Sequence, residues 1–211
     1  MCYAILMILY YTSYAPIQDR SALAALMPPA RRARFEVEAE TPGPLLAYTL
    51  LAWALERHYS IAAREAIAFT SLGRPYVPGG AVHLSLSHSK THALCTLADF
   101  PVGCDIEAHR PVSKQAKRRV LGTCEAPENF FAHWTLKESL FKLCGDYDQP
   151  FSALTFSLLG DRAHGQGAYG WLYREIPGST AAVVAGEPFP RPLLTPLAPE
   201  TLFSYATEKW A

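Results

Sequence analysis

The stretch Val82-His83-Leu84-Ser85-Leu86-Ser87-His88-Ser89-Lys90-Thr91-His92-Ala93-Leu94-Cys95-Thr96-Leu97-Ala98-Asp99-Phe100-Pro101-Val102-Gly103-Cys104-Asp105-Ile106-Glu107 contains three strand-length runs in succession. Val82 to Leu86 and Ala93 to Leu97 are short and rich in apolar residues, and Ser87 to His92 between them reads as the joint of a hairpin. Pro101 breaks the chain, and Val102 to Glu107 reads as a strand again. Strands that follow one another without intervening helices argue against a doubly wound parallel sheet.

Upstream, Met1 to Tyr11 is strongly apolar, with the aromatic and β-branched content of an opening buried strand. It lacks a basic leader and a small-residue cleavage site, and it is too short to span a bilayer. Ser21 to Phe35 ends in the basic cluster Arg31, Arg32, Arg34. Pro42-Gly43-Pro44 then opens a helix expected from about Leu45 to His58, with Leu46, Leu50, Trp53 and Ala54 on one face. A Gly-Arg-Pro turn occupies Gly73 to Pro75.

Downstream, the pattern rhymes. A basic segment runs from Ser113 to Val120, and a helix is expected from about Asn129 to Cys144, ended by Gly145. Strands are expected at Leu154 to Leu158, Tyr169 to Arg174 and Thr180 to Ala185, then a loop over Pro188 to Pro199 and a short strand at Leu202 to Tyr205. Each half holds one principal helix and several strands. The expected fold class is α+β, with two similar halves at 1–101 and 102–211.

Of the 211 residues half are hydrophobic, enough to bury a substantial core. Lys+Arg and Asp+Glu each number 19, so no net charge points to a nucleic acid or membrane partner, and electrostatic recognition has to be local. The five cysteines, with no C-x-x-C among them, fit free thiols in a reducing cytoplasm.

Asp105 and Glu107 flank Ile106 at a strand end, so alternation projects both carboxylates to one face. Adjacent carboxylates repel, and a divalent cation would hold both ionised. Magnesium suits oxygen ligands of this kind, completing its shell with phosphate oxygens and water. An ordinary solvated strand end would show the same three residues. In Trp134-Thr135-Leu136-Lys137-Glu138-Ser139-Leu140-Phe141-Lys142, Glu138 and Lys142 share a helical face with Trp134, either as a surface ion pair or as part of a site. Leu84-Ser85-Leu86-Ser87-His88-Ser89 ends in a hydroxyl–imidazole–hydroxyl cluster, a candidate phosphate cradle.

Taken together and in this order, Gly73 to Pro75, Leu84 to Ser89, Val102 to Glu107 and Trp134 to Lys142 resemble the surfactin-synthetase-activating class of phosphopantetheinyl transferases. The resemblance reaches from residue 73 to residue 142. It implies two similar α+β halves arranged as a fused pseudo-dimer, with the active site in the cleft between them. It implies an enzyme that moves the 4′-phosphopantetheine arm of coenzyme A to a serine of an apo acyl or peptidyl carrier protein, releasing adenosine 3′,5′-bisphosphate. Carried over by motif, Asp105, Glu107 and Glu138 look like ligands of magnesium, with manganese the alternative ion. Lys142 looks like a contact to the coenzyme A pyrophosphate. Ser87 and His88 resemble phosphate-binding residues, and Gly73, Arg74 and Pro75 resemble the adenine wall. Arg31 matches a position that holds the 3′-phosphate, and Arg74 stands where the family has lysine. Glu138, Lys142 and His88 are the catalytic candidates, with Glu138 or a water oriented by the carboxylates as the base.

The chain departs from the family pattern at Gly43, where an arginine is usual, and in the short segment between Glu107 and Glu138. The basic run Lys114, Lys117, Arg118, Arg119 reads as a solvated helix face or as a dock for acidic carrier helices. The cysteines and the character of Met1 to Tyr11 lead to the expectation of a cytoplasmic protein, the internal duplication makes a monomer sufficient, and the carrier is one of fatty acid, polyketide or nonribosomal peptide synthesis. A metal-dependent phosphohydrolase and a coenzyme A or carrier-binding module without turnover are the rival readings.

Overall fold

In the computed structural model, residues 6–14, 21–27, 42–71, 73–80, 82–145 and 149–210 are described. Arg31, Arg32 and Arg34 lie outside them. The hairpin forms as β4 (His83–His88) and β5 (His92–Ala98), with Leu86 opposite Cys95. The opening strand β1 (Met7–Ser13) pairs antiparallel with β5, and β11 (Leu194–Pro196) adds in parallel at the far edge, giving the order β11-β1-β5-β4. A second sheet has the order β6 (Val102–Ala108), β10 (Ser179–Ala185), β9 (Ala168–Tyr173), β8 (Arg162–Gly165), β7 (Ser157–Leu159). Two short strands, β2 (Ala68–Phe69) and β3 (Pro75–Tyr76), frame the Gly-Arg-Pro turn. The α+β expectation holds.

Two long helices back the sheets. After a short α1 (Ser21–Ala25), helix α2 (Gly43–Tyr59) starts at Pro42-Gly43-Pro44, where the missing proline N–H breaks no helical bond, and stops at Ser60 in the left-handed region. Leu46, Leu50, Ala54 and Leu55 bury completely against Leu84, Ala93, Cys95 and Leu97 of the first sheet. A four-residue α3 (Ala63–Ala66) follows, and the basic segment forms α4 (Lys114–Val120), capped by the Ser113 hydroxyl. Helix α5 (Phe130–Cys144) ends at Gly145, also left-handed, and packs Leu136 and Leu140 against Ala182 and Val184 of β10. The opposite faces of the sheets meet in a central core, where Leu9, Leu94 and Ala98 pack with Cys104, Ile106, Ala181 and Val183. β5 and β10 are therefore buried on both faces and carry apolar runs rather than alternation.

Several elements differ from the sequence reading, and the strand expected at Leu154 to Leu158 begins only at Ser157. Leu202 to Tyr205, expected as a strand, lies within helix α6 (Pro199–Trp210). Its buried positions, Leu202 and Ala206, are four apart, and a window of four residues is too short to reveal that period. The expected loop at Pro188 to Pro199 contains β11, whose proline-flanked residues show no alternation. β8 was not expected at all. Through β11 and α6, residues 194–210 join the first sheet and the core around α2.

Candidate functional site

The site begins with a close approach between β6 and α5. A β-carbon on Gly103 would collide with the Ser139 carbonyl oxygen and sit 2.7 Å from the Leu143 amide nitrogen, so glycine alone lets the helix lie this near the strand. Alternation along β6 sends Cys104 and Ile106 into the central core. Asp105 is left buried beneath α5, with Glu107 half-buried beside it.

Asp105 Oδ1 accepts from Ser87 Oγ and from Lys142 Nζ, each at 2.7 Å. Its Oδ2 is buried and has no hydrogen-bond partner among the described residues. Glu107 Oε2 accepts from Arg110 Nη1 at 2.5 Å, and the same nitrogen donates to the Ala108 carbonyl at 3.0 Å. Glu138 comes from the helix above. Burial first, and then the Asp105 and Glu107 carboxylates nearby, push its pKa up against the opposing pull of Lys142. Burial disfavours the charge on Lys142, but Asp105, Cys104 and Glu138 around it outweigh that and raise its pKa.

The two serines of Leu84-Ser85-Leu86-Ser87 stitch the sheets together. Ser85 Oγ accepts the Cys104 amide at 3.0 Å, and Ser87 Oγ accepts the Ile106 amide at 3.3 Å while donating to Asp105. A cavity of about 530 Å³ opens beside this seam. Gly73, Arg74 and Pro75 line one side, Phe141 and Lys142 another, and Leu84 to Leu86 contribute the β4 side. Arg74 Nη1 donates to the Leu143 carbonyl at 3.3 Å, placing a guanidinium on the negative end of α5.

His88 lies at the exposed end of β4, against the start of α2. A β-carbon on Gly43 would meet the Tyr14 hydroxyl and lie 2.9 Å from His88 Nδ1, so position 43 is closed to any larger side chain as these neighbours stand. The Tyr14 hydroxyl donates to the Ser89 carbonyl at 2.5 Å.

Thus Asp105, Glu138 and Lys142 come together with Glu107 alongside and Ser87 tied to Asp105. Gly73, Arg74 and Pro75 share a cavity with Lys142; His88 sits apart beside Gly43, and Arg31 is not described. Sequence reading missed Ser85, Tyr14, Phe141 and Arg110. Ser85 had a signal, because it shares the alternating face of Ser87. Arg110 had none, since its meeting with Glu107 depends on the turn after β6.

Among the described residues no group of three or more His, Cys, Asp or Glu side chains is gathered as a finished metal cage. The donor chemistry nevertheless fits a divalent cation. Asp105 leaves a buried oxygen unpartnered, and Glu138 has its pKa raised first by burial and then by the Asp105 and Glu107 carboxylates.

The fold and site define an α+β protein whose carboxylates and lysine gather beside a cavity large enough for a nucleotide-sized ligand. No protein-family model matches the chain. It is similar to 4′-phosphopantetheinyl transferase Sfp of Bacillus subtilis (strain 168), 27% identical over 123 residues that cover 52% of this chain and 54% of that protein. It is also similar to 4′-phosphopantetheinyl transferase psf-1 of Bacillus pumilus, 30% identical over 129 residues, 55% of this chain and 54% of that one. The chain spans about half the length of the curated relatives it matches. The chain is thus similar, over roughly half its length, to phosphopantetheinyl transferases, the class its motifs resemble.

Proposed function

We propose that the chain is a magnesium-dependent 4′-phosphopantetheinyl transferase, using coenzyme A and an apo acyl or peptidyl carrier protein. The observation that carries this reading is the convergence of motifs far apart in sequence. Gly73 to Pro75 and Lys142 line one cavity, and Lys142 in turn holds Asp105.

The carrier serine hydroxyl attacks the β-phosphorus of coenzyme A. A new serine O–P bond forms, the bond to the adenosine-bearing phosphate breaks, and adenosine 3′,5′-bisphosphate leaves. Glu138 takes the serine proton, and burial and the neighbouring carboxylates, which raise its pKa above the ordinary carboxylate range, make it the more basic for that role. Lys142 keeps its ammonium charge and meets the charge that gathers on the leaving phosphate. His88 contacts phosphate from the β4 end. Ser87 gives its one hydroxyl proton to Asp105 and serves the phosphate side by holding that carboxylate in place. Asp105, Glu107 and Glu138 would hold magnesium, or manganese in its place. When bound, the ion supplies positive charge to the diphosphate oxygens.

In this reading the adenine rests against Gly73, Arg74 and Pro75. The closed space at Gly43 leaves the 3′-phosphate to Arg31 and its neighbours. Arg31→Ala should then weaken coenzyme A binding by about 1.5–3 kcal/mol. It should leave dephospho-coenzyme A binding nearly unchanged, which calorimetric titration of both ligands checks.

The division at 1–101 and 102–211 into duplicated halves belongs to the same proposal, with residues 194–210 crossing back to the first sheet and the core around α2. Its support is that each sheet carries one principal helix, α2 or α5. So do a cytoplasmic location and a monomer sufficient for activity; no helix among the described residues is long and apolar enough to cross a membrane.

The test is intact-mass analysis of apo carrier proteins from fatty acid, polyketide and nonribosomal peptide synthesis, incubated with coenzyme A, magnesium and the protein. A mass gain of one phosphopantetheine on a carrier supports the proposal. Coenzyme A consumed with every carrier unmodified would replace it with a phosphohydrolase reading.

A further inference from the structure

We infer that Arg110 sets how tightly the acidic site takes a divalent cation, because it holds Glu107 as a built-in counter-cation and has to release that carboxylate to an incoming ion. The inference rests on the reading that Asp105, Glu107 and Glu138 take such an ion.

Arg110 is held as a fixed part of the site. Its guanidinium donates to Glu107 and to the Ala108 carbonyl, and its carbon lies 5.8 Å and 5.9 Å from the ring centroids of Phe131 and Trp134 on α5. The residue before it is pinned as well. His109 Nε2 lies 2.8 Å from Thr180 Oγ1 on β10, and its ring sits 4.9 Å from that of Phe131. Pro111 follows and restricts the backbone of Arg110 itself. Trp134, which shares a helical face with Glu138 and Lys142, thus forms part of the surface on which this guanidinium rests.

Among the described residues three carboxylates therefore face two cations, and the two pairs are unequal. Lys142 meets Asp105 where the carboxylate is 7% exposed. Arg110 and Glu107 are 38% and 20% exposed, so water replaces that contact at modest cost. A divalent cation drawing in Glu107 displaces Arg110, which stays beside the site on Phe131 and Trp134.

The test uses the full chain, stripped of metal with a chelator and titrated calorimetrically with Mn²⁺, as wild type, Arg110→Ala and Arg110→Lys. Arg110→Ala should bind Mn²⁺ about two- to fivefold more tightly, the scale of an exposed ion pair. Arg110→Lys, which keeps the charge but loses the fork and the stacking, should fall between the two. The gap between wild type and Arg110→Ala should narrow as salt is raised, a response that a merely structural arginine would not give. Should Arg110→Ala fail to give a wild-type circular dichroism spectrum, Arg110→Lys carries the test against wild type. Equal or weaker Mn²⁺ binding in the folded variants, with wild type binding normally, overturns the role of Arg110 alone. Absence of binding in all three overturns the cation reading and this inference with it.

Discussion

Helix α5 places Lys137 and Glu138 side by side, and the clusters they enter follow opposite rules. On one side Lys137 is fully buried, donating to Glu125 Oε2 and, at 2.6 Å, to the Val120 carbonyl. Glu125 also accepts the Gly122 and Phe156 amides at 2.8 and 3.2 Å, and His133 Nδ1 lies 3.0 Å from its other oxygen. Burial would raise the Glu125 pKa, but His133, Lys137 and the two amides overcome it and bring it to about 2. On the other side burial first, and then two further carboxylates, raise the pKa of Glu138, and the Lys142 charge does not overcome them. One cluster neutralises the Glu125 charge within the protein, with His133 Nδ1 near it but making no hydrogen bond among the described residues, and ties the segment after α4 to α5. The other leaves charge uncompensated beside a cavity, as a site that awaits a ligand does.

The comparison breaks most visibly in activity. Asp105→Ala and Glu138→Gln should each reduce carrier modification by at least about a hundredfold with the fold kept, because in the proposed reaction each removes charge from the site of transfer. Near-wild-type turnover of either variant at saturating magnesium, followed by mass spectrometry, would show that these carboxylates do not form the working site.

The effect next in size falls on stability and on the other cluster. Glu125→Gln should cost about 3–5 kcal/mol in denaturant unfolding, since it leaves the Lys137 ammonium buried without its counter-charge. The pH dependence has a definite sign. A carboxylate whose pKa is depressed on folding stabilises fully above the ordinary range near 4.5, and that contribution fades as pH falls toward about 2. The variant should therefore lose most of its deficit against wild type in strong acid.

The smallest effect concerns α4, which the Glu125 cluster holds in place. Lys117, Arg118 and Arg119 close this helix with basic charge. Reversing the charge of Lys117 and Arg118 should raise the KM for an acidic carrier several-fold at low salt and leave that for coenzyme A unchanged. An unchanged carrier KM would return α4 to an ordinary solvated face.

How far this contrast could be read from sequence depends on the residue. Asp105 and Glu107 were legible because strand alternation fixes their common face, and Glu138 and Lys142 because one helical turn separates them. The hairpin and both long helices were legible from breakers and periodicity, from Pro42-Gly43-Pro44 to Gly145. Glu125 was not, since it lies in an irregular segment and its partners come from α5 and from the approach to β7. Ser87, His88 and Ser89 looked like a strand-end cradle because nothing local indicates that β6 runs alongside β4. The closure of Gly43 by Tyr14 and His88 likewise joins three segments distant in sequence. Helix α6 was misread because four residues cannot separate a period of two from one of 3.6.

The most direct test of the uncompensated site is the stability of Glu138→Gln against wild type, measured by thermal unfolding from pH 5 to 8 with chelator present, alongside transfer with magnesium restored. A carboxylate whose pKa is raised on folding costs stability that grows as pH rises, so the variant should melt higher than wild type at pH 8. That advantage should shrink toward pH 5, and transfer should be lost throughout. A variant that melts lower than wild type at pH 8, or that still modifies the carrier, would contradict the account.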